Sequence, residues 1–79
     1  AWPMNELRVH ILGAGGIGCA VGYALASAKA SVTMVDVNDR KIDDGLAHGL
    51  RVDARPAQRV MFTPFADWRP PSNVLVLLA

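Results

Sequence analysis

Five glycines fall within ten residues near the start of the chain, directly behind a short apolar run. Three of them, Gly13, Gly15 and Gly18, have the spacing G-x-G-x-x-G. In that pattern the first glycine allows a tight turn, the second lets the backbone approach a pyrophosphate, and the third lets a helix pack closely on a strand. The loop backbone between them comes from Ala14, Gly16 and Ile17. The pattern therefore predicts a dinucleotide pyrophosphate site at a helix N-terminus.

An acidic residue follows the glycines at a second informative distance. Asp36 lies 18 residues beyond Gly18. Dinucleotide-binding folds place an acidic residue about 20 residues further on, where it accepts hydrogen bonds from the ribose hydroxyls. A carboxylate there also repels a 2′-phosphate, which favours NAD over NADP. We therefore predict that Asp36, Val37 and Asn38 belong to the cofactor site.

Two alternatives stay open for this segment. Arg40 and Lys41 lie close to Asp36 in the sequence, and their charges could grip a 2′-phosphate, which would favour NADP instead. Asp36 could also serve only as a cap for the following helix, but Asn38 and Asp39 are equally suited to capping. The sequence therefore gives Asp36 a role in nucleotide preference without deciding between the two nucleotides.

The apolar pattern predicts the strands and helices that must position these residues. Short β-branched or apolar runs alternate with longer segments of helical periodicity. The predicted strands span 8–12, 31–35, 50–52, 59–63 and 74–78, and the predicted helices span 16–29 and 39–48. The first helix should present an apolar face made of Ile17, Val21, Ala24, Leu25 and Ala28. The last strand is apolar throughout, which is typical of a parallel strand covered on both faces.

This order of elements predicts an α/β fold. Strands that alternate with helices form a mainly parallel sheet with right-handed crossovers. With a glycine turn between the first strand and the first helix, the pattern is that of a Rossmann-like, three-layer α/β/α structure, half of a doubly wound dinucleotide-binding domain. We expect residues 1–79 to form a single domain.

Composition and charge argue against several other classes of protein. The chain has 79 residues, of which 52% are hydrophobic, and a net charge of +1 with dispersed Lys and Arg residues. It shows no basic patch for nucleic acid and no apolar run long enough to span a membrane. Its single cysteine cannot form an internal disulfide, which fits a reducing compartment, so we expect a cytoplasmic protein.

Other residues that could do chemistry or bind a ligand are more simply explained by structural roles. Cys19 lies in the first turn of the predicted helix, where the helix dipole could activate a thiol, but a small packing residue is the more common case. His10 has no Cys, Asp or Glu at metal-ligand spacing, so we predict a hydrogen-bonded sheet histidine and no metal site. Trp2, Phe65 and Trp68 could stack on adenine, although aromatic residues beside prolines more often cover a sheet edge.

The chain resembles the N-terminal domain of the ketopantoate reductases (2-dehydropantoate 2-reductases) over nearly its whole length. The resemblance rests on the GAG-x-IG turn, on VTMVD and HGLRV, and on FTPFADW and NVLVLLA near the end. It implies an oxidoreductase that reduces a small 2-keto acid by hydride transfer from a nicotinamide cofactor, usually NADPH, in the pantothenate and coenzyme A pathway. Asp36 departs from the basic residue often found at its place in the family, which puts a preference for NADP in doubt.

The resemblance also implies functional groups that these residues do not supply. In the family a lysine follows the strand that ends here at Ala79, and a helical C-terminal domain supplies the catalytic lysine and the groups that bind substrate. We therefore assign no catalytic residue. We expect a missing C-terminal domain or a homo-oligomer to complete the enzyme.

Two other functions stay open. The segment GYALASAKASVTMVDVND is also similar to the opening of lactate and malate dehydrogenases, although those families usually place more than the 12 positions found here between the aspartate and the HG pair. Alternatively, the chain could be a non-catalytic dinucleotide-sensing or interaction module. An open sheet that ends on an apolar strand leaves an edge uncovered, and such an edge suits a partner.

Overall fold

A computed structural model describes residues 3–79 of the chain. Its sheet has four strands, β1 (Arg8–Leu12), β2 (Ser31–Asp36), β3 (Met61–Pro64) and β4 (Leu75–Leu78). Helix α1 (Gly16–Ser27) follows β1, and helix α2 (Asp39–His48) follows β2. Short 3-10 turns span Met4–Glu6 and Phe65–Asp67. Within the described residues no helix is long and apolar enough to cross a membrane.

All neighbouring strands of the sheet run parallel, in the order β3-β2-β1-β4. The chain moves outward from β1 to β2 and β3 and then returns to the other side of β1, so the strand order reverses between β1 and β4. Open parallel sheets bind ligands at the carboxyl ends of their strands beside such a reversal. The predicted α/β class with a parallel, Rossmann-like sheet is therefore confirmed.

Both helices pack against the same face of the sheet. The register pairs Ile11 with Met34 and Met34 with Phe62, so these three side chains share one face. Gly22 of α1 lies against Ile11 and Met34, and Gly45 of α2 lies against the Phe62 ring. The core therefore lies between the helices and this face. Its sheet and helix residues include Val9, Ile11, Val32, Met34, Ile42 and Phe62.

Helix α1 packs through three small residues and Tyr23 rather than through the apolar face predicted from its sequence. Its buried residues are Gly18, Gly22, Tyr23 and Ala26. Ile17 and Val21 of the predicted face are instead 75% and 38% exposed. The prediction was wrong because it ranked positions by side-chain hydrophobicity. A Cβ atom at Gly22 would lie 2.7 Å from Met34 Sδ, so the close approach of helix and sheet favours glycine there, and Ile17 and Val21 lie outside this contact.

The segment between α2 and β3 is an irregular loop rather than a pair of strands. Leu50 forms one antiparallel bridge with Gln58, and the strand predicted at 50–52 is absent from the described structure. Leu50 is nevertheless only 2% exposed, because its side chain packs beside Gly22. The apolar residue in this segment packs in the core, and the sequence pattern alone does not distinguish a buried loop residue from a short buried strand. The strand predicted at 59–63 begins at Met61.

Strand β4 lies at an edge of the sheet, not in a covered interior. Leu75 and Leu78 are 49% and 85% exposed, which corrects the prediction that this strand is covered on both faces. The reason is topological. Both helices pack over β1, β2 and β3, and the return of the chain to the far side of β1 places β4 beyond them.

The second face of the sheet is partly covered by the connection between β3 and β4. Trp68 Nε1–H donates a 2.8 Å hydrogen bond to His10 Nδ1, and Phe65 stacks on Trp68 with ring centroids 6.2 Å apart. The prediction of a hydrogen-bonded sheet histidine is confirmed. The layer on this face is a loop with a 3-10 turn, whereas the helices lie on the other face. Trp2 lies outside the described residues.

We expect the partial burial of His10 to make stability depend on pH. Burial, with a smaller contribution from the charge of Arg8, lowers the pKa of His10 from its ordinary value of 6.5. The unfolded chain therefore takes up the proton more readily than the folded chain. The stabilisation is complete above about pH 6.5 and is lost as the pH falls through the lowered pKa. Urea denaturation between about pH 8 and about pH 5 measures this effect.

Two variants isolate the contribution of His10. His10→Asn removes the titrating ring but keeps an oxygen that can accept a hydrogen bond, so it should flatten the pH dependence. His48→Asn is the matched second variant, because it removes the other histidine, an exposed residue in the last turn of α2, and so shows how much of the pH dependence is not due to His10. Equal pH dependence in the wild type and in His10→Asn would contradict the assignment.

Candidate functional site

The glycine motif forms the turn that joins β1 to α1. Gly13 has a φ of +119°, a conformation that favours glycine because it has no Cβ atom. Its N–H donates to Val35 O at 2.8 Å, which fixes the turn to the neighbouring strand β2. Gly15 is the N-cap residue of α1 and has no side chain to cap the helix. The amide groups of the first helical turn, which lack partners within a helix, are therefore not capped by residue 15.

The surroundings of the motif glycines separate their roles. A Cβ atom at Gly13 would lie 2.6 Å from Ala79 O, and one at Gly18 would overlap the carbonyl oxygen of Gly13. Backbone packing therefore requires these two glycines. A Cβ atom at Gly15 or Gly16 would meet no atom of the described chain within 4 Å. Crowding therefore does not explain the glycine at 15, and the open space beside it could hold a pyrophosphate.

Asp36 connects the end of β2 to the glycine turn. Its Oδ2 accepts a hydrogen bond from Ala14 N–H at 2.7 Å, and its Oδ1 accepts one from Asn38 N–H at 2.8 Å. The bond from Ala14 is the main cause that lowers the pKa of this carboxyl group, against the opposing effect of partial burial. Asp36 is therefore an anion beside the turn. Each carboxylate oxygen has a further lone pair that could accept a hydroxyl group.

The cap of helix α2 is Asn38. Its Oδ1 accepts hydrogen bonds from the N–H groups of Arg40 and Lys41 at 3.0 and 3.4 Å. Asp36 is therefore not the residue that caps α2, which removes the alternative in which capping is its only role. Because the Asn38 oxygen already bonds to the helix, a contact between Asn38 and a cofactor stays a prediction.

The other predicted site residues lie at the same edge of the sheet. Ala14 is buried within the turn, where its N–H joins Asp36. Ile17 is exposed in the first turn of α1, beside the open glycines, and Val37 is 79% exposed directly after β2. The hydrogen bond between Ala14 and Asp36 thus brings together two segments, 13–18 and 36–38, that are about 20 residues apart in the sequence.

Phe65 also belongs to this edge. It follows the last residue of β3 and lines a notch of about 170 Å³ together with Leu12, Gly13, Val35, Asp36 and Val37. From the sequence, Phe65 is expected to cover the sheet edge, with adenine stacking as the alternative. The signal for a site role was its position directly after a parallel strand, because the carboxyl ends of parallel strands meet at one edge of the sheet.

Cys19 and Lys41 line a separate cleft of about 400 Å³ between the two helices. Cys19 Sγ–H donates to Ala14 O at 3.3 Å, and burial raises the pKa of the thiol. A raised pKa leaves little thiolate, which supports the packing interpretation. The charge of Lys41 contributes to the lowered pKa of Asp36. Among residues 3–79 no group of three or more metal-ligating side chains is placed to hold a metal ion.

A family model matches most of the chain. The model described as Ketopantoate reductase PanE/ApbA matches residues 9–78. The chain belongs to the ketopantoate reductase family. This is a family of oxidoreductases, and the match spans every element from β1 to β4. No curated protein and no solved structure matches the chain. The resemblance seen in the sequence is therefore confirmed at the level of the family. The match favours this family over the alternative of a lactate or malate dehydrogenase.

Proposed function

We propose that this chain binds a nicotinamide dinucleotide as the cofactor-binding part of an enzyme that reduces a 2-keto acid. The observation that carries the proposal is the open space beside Gly15, at the N-terminus of α1. The residues fit such a cofactor, because a side chain at position 15 would fill the space that a pyrophosphate needs. The N–H groups at the start of α1 would hold the pyrophosphate, and Asp36 would accept the ribose hydroxyls.

The bound nicotinamide ring would supply the hydride in such a reaction. The role of this chain is to bind and orient the cofactor. Reduction of a keto group also needs a proton donor and groups that hold the substrate. We propose that a helical C-terminal domain supplies them, as the family resemblance implies, or that a second copy of the chain completes the site. The family resemblance and the single cysteine support a cytoplasmic enzyme of pantothenate synthesis.

We further propose that the site prefers NADH to NADPH. Asp36 is an anion at the place where a 2′-phosphate would lie, and like charges in contact disfavour binding. The family resemblance implies NADPH, and the positive charge of Lys41 acts in that direction. Asp36 is in direct contact with the glycine turn through Ala14, however, so its charge lies at the edge of the proposed cofactor site.

Calorimetric titration with NADH and, separately, NADPH tests both the function and the preference. The wild-type chain should bind NADH about 10-fold more tightly than NADPH, a difference of about 1.4 kcal/mol. Asp36→Asn should reduce this ratio to about one, chiefly because NADPH binds better. Asparagine is preferred to alanine here because its side-chain oxygen can still accept a hydrogen bond from Ala14 or Asn38. Asp44→Asn is the matched control, since Asp44 is an exposed carboxylate paired with Arg51, and should leave the ratio unchanged.

The outcomes separate the two proposals. If the folded wild-type chain binds neither nucleotide, the cofactor-binding function is contradicted and the interaction-module hypothesis gains support. If it binds NADPH more tightly than NADH, only the proposed preference is contradicted.

A further inference from the structure

Lysine and arginine residues are dispersed along the sequence, but the parallel sheet brings two arginines to the amino ends of neighbouring strands. Arg8 begins β1 and pairs in register with Ser31, the first residue of β2. Arg59 lies two residues before Met61, which begins β3 and pairs with Thr33. Arg8, Ser31 and Arg59 therefore form a row across the amino ends of three adjacent strands. This row lies at the opposite edge of the sheet from the glycine turn.

Arg8 and Arg59 lie on the two sides of Ser31. Residues paired in register in a parallel sheet point to the same face, and side chains alternate along each strand. Arg8 is two residues before His10, whose ring meets Trp68 on the second face, so Arg8 and Ser31 also point to that face. On the other side, Arg59 and Ser31 line one depression of about 240 Å³. All three residues of the row are exposed.

The two guanidinium groups of the row are not neutralised by the part of the chain that the structure describes. Residues 3–79 form a single ion pair, between Arg51 and Asp44 on the helix side of the sheet. Glu6 lines a neighbouring depression with Arg8 but forms no ion pair with it. Adjacent strands lie about 4.8 Å apart, so the Cα atoms of Arg8 and Arg59 are about 10 Å apart. Two guanidinium groups and a hydroxyl at this spacing suit a compact anion, because a guanidinium can donate two parallel hydrogen bonds to its oxygens.

We propose that the row of Arg8, Ser31 and Arg59 binds a small phosphate dianion. A carboxylate carries one charge and two oxygens, whereas a phosphate has the charge and the oxygens to bind both arginines and the Ser31 hydroxyl at once. The depression is smaller than the roughly 300 Å³ at which pockets for drug-sized ligands begin. Two cations are also too few for a nucleic acid, whose backbone typically takes about six to ten phosphate contacts. The site is independent of the proposed cofactor function.

The test is a titration of the wild-type chain with inorganic phosphate, followed through the backbone amide signals in NMR spectra. A parallel titration with sodium chloride at equal ionic strength controls for general screening of charge. Phosphate should shift the amide signals of residues 30–32 and 59–61 saturably, and chloride should not. Arg8→Gln and Arg59→Gln should each weaken phosphate binding by about 10-fold, because each removes charge-assisted hydrogen bonds.

Arg51→Gln is the matched control, because it removes the same charge from an exposed residue on the helix side of the sheet. It should leave the phosphate affinity unchanged. Arg59→Lys should lose less affinity than Arg59→Gln, because lysine keeps the charge without the paired donors. Equal shifts with phosphate and chloride, or equal affinity in the wild type and the folded Arg59→Gln variant, would overturn the site. Phosphate shifts confined to residues 13–18 would also overturn it, while they would support the glycine turn as an anion site.

Discussion

Replacement of Gly18 by alanine is expected to lower the free energy of unfolding by about 3 kcal/mol, at the upper end of the usual cost of overpacking. The added Cβ atom would overlap the carbonyl oxygen of Gly13 and would lie 3.0 Å from its carbonyl carbon. Backbone atoms in a fixed turn cannot move aside as a flexible side chain can. For a domain of this size the melting temperature should fall by more than about 10 °C. Urea and thermal denaturation followed by circular dichroism measure both quantities.

Gly16→Ala is the matched control for this prediction. Gly16 is the first residue of α1, and an added Cβ atom meets no described atom within 4 Å. Alanine also has the higher helix propensity, so this variant should be neutral or up to about 1 kcal/mol more stable. Equal losses of stability in Gly16→Ala and Gly18→Ala would show that the turn tolerates no change at all, and the distinct packing role of Gly18 would be wrong.

Gly15→Val should abolish dinucleotide binding while leaving the fold intact. Gly15 has φ −80° and ψ −168°, an extended conformation that valine adopts readily. The described chain leaves open space around its Cβ position, but valine is a poorer N-cap residue than glycine, so stability should fall by only about 1 kcal/mol. The valine methyl groups would occupy the space that the pyrophosphate needs. Affinity for NADH should fall by at least about 100-fold, as measured by titration calorimetry, with urea denaturation as the check on folding.

The sequence predicts the elements that carry strong local signals. Helix α2 was predicted at 39–48 and is observed there, because Asn38 is a good cap and Gly49 ends the helix with a positive φ. Strand β1 matches its prediction because β-compatible residues stop at a glycine. The packing roles of Gly13 and Gly18 were also predicted correctly, because the G-x-G-x-x-G spacing between a strand and a helix encodes them.

Other features depend on contacts that no local pattern encodes. The buried face of α1 is decided by how closely the helix approaches Met34, and the apolar Ile17 therefore turns to solvent. The sequence around Leu50 predicts a strand, but Leu50 lies in an irregular loop and packs in the core. The hydrogen bond between Ala14 and Asp36 and the place of Phe65 both depend on strand order, which brings together segments distant in the sequence.

The most direct test of the central claim is a pair of calorimetric titrations with NADH, one on the wild-type chain and one on Gly15→Val. If the glycine turn holds the pyrophosphate, the wild type binds NADH saturably and the folded variant shows no measurable binding. Equal binding by the two chains would contradict it, because a cofactor that tolerates valine at position 15 does not lie against the backbone of this turn.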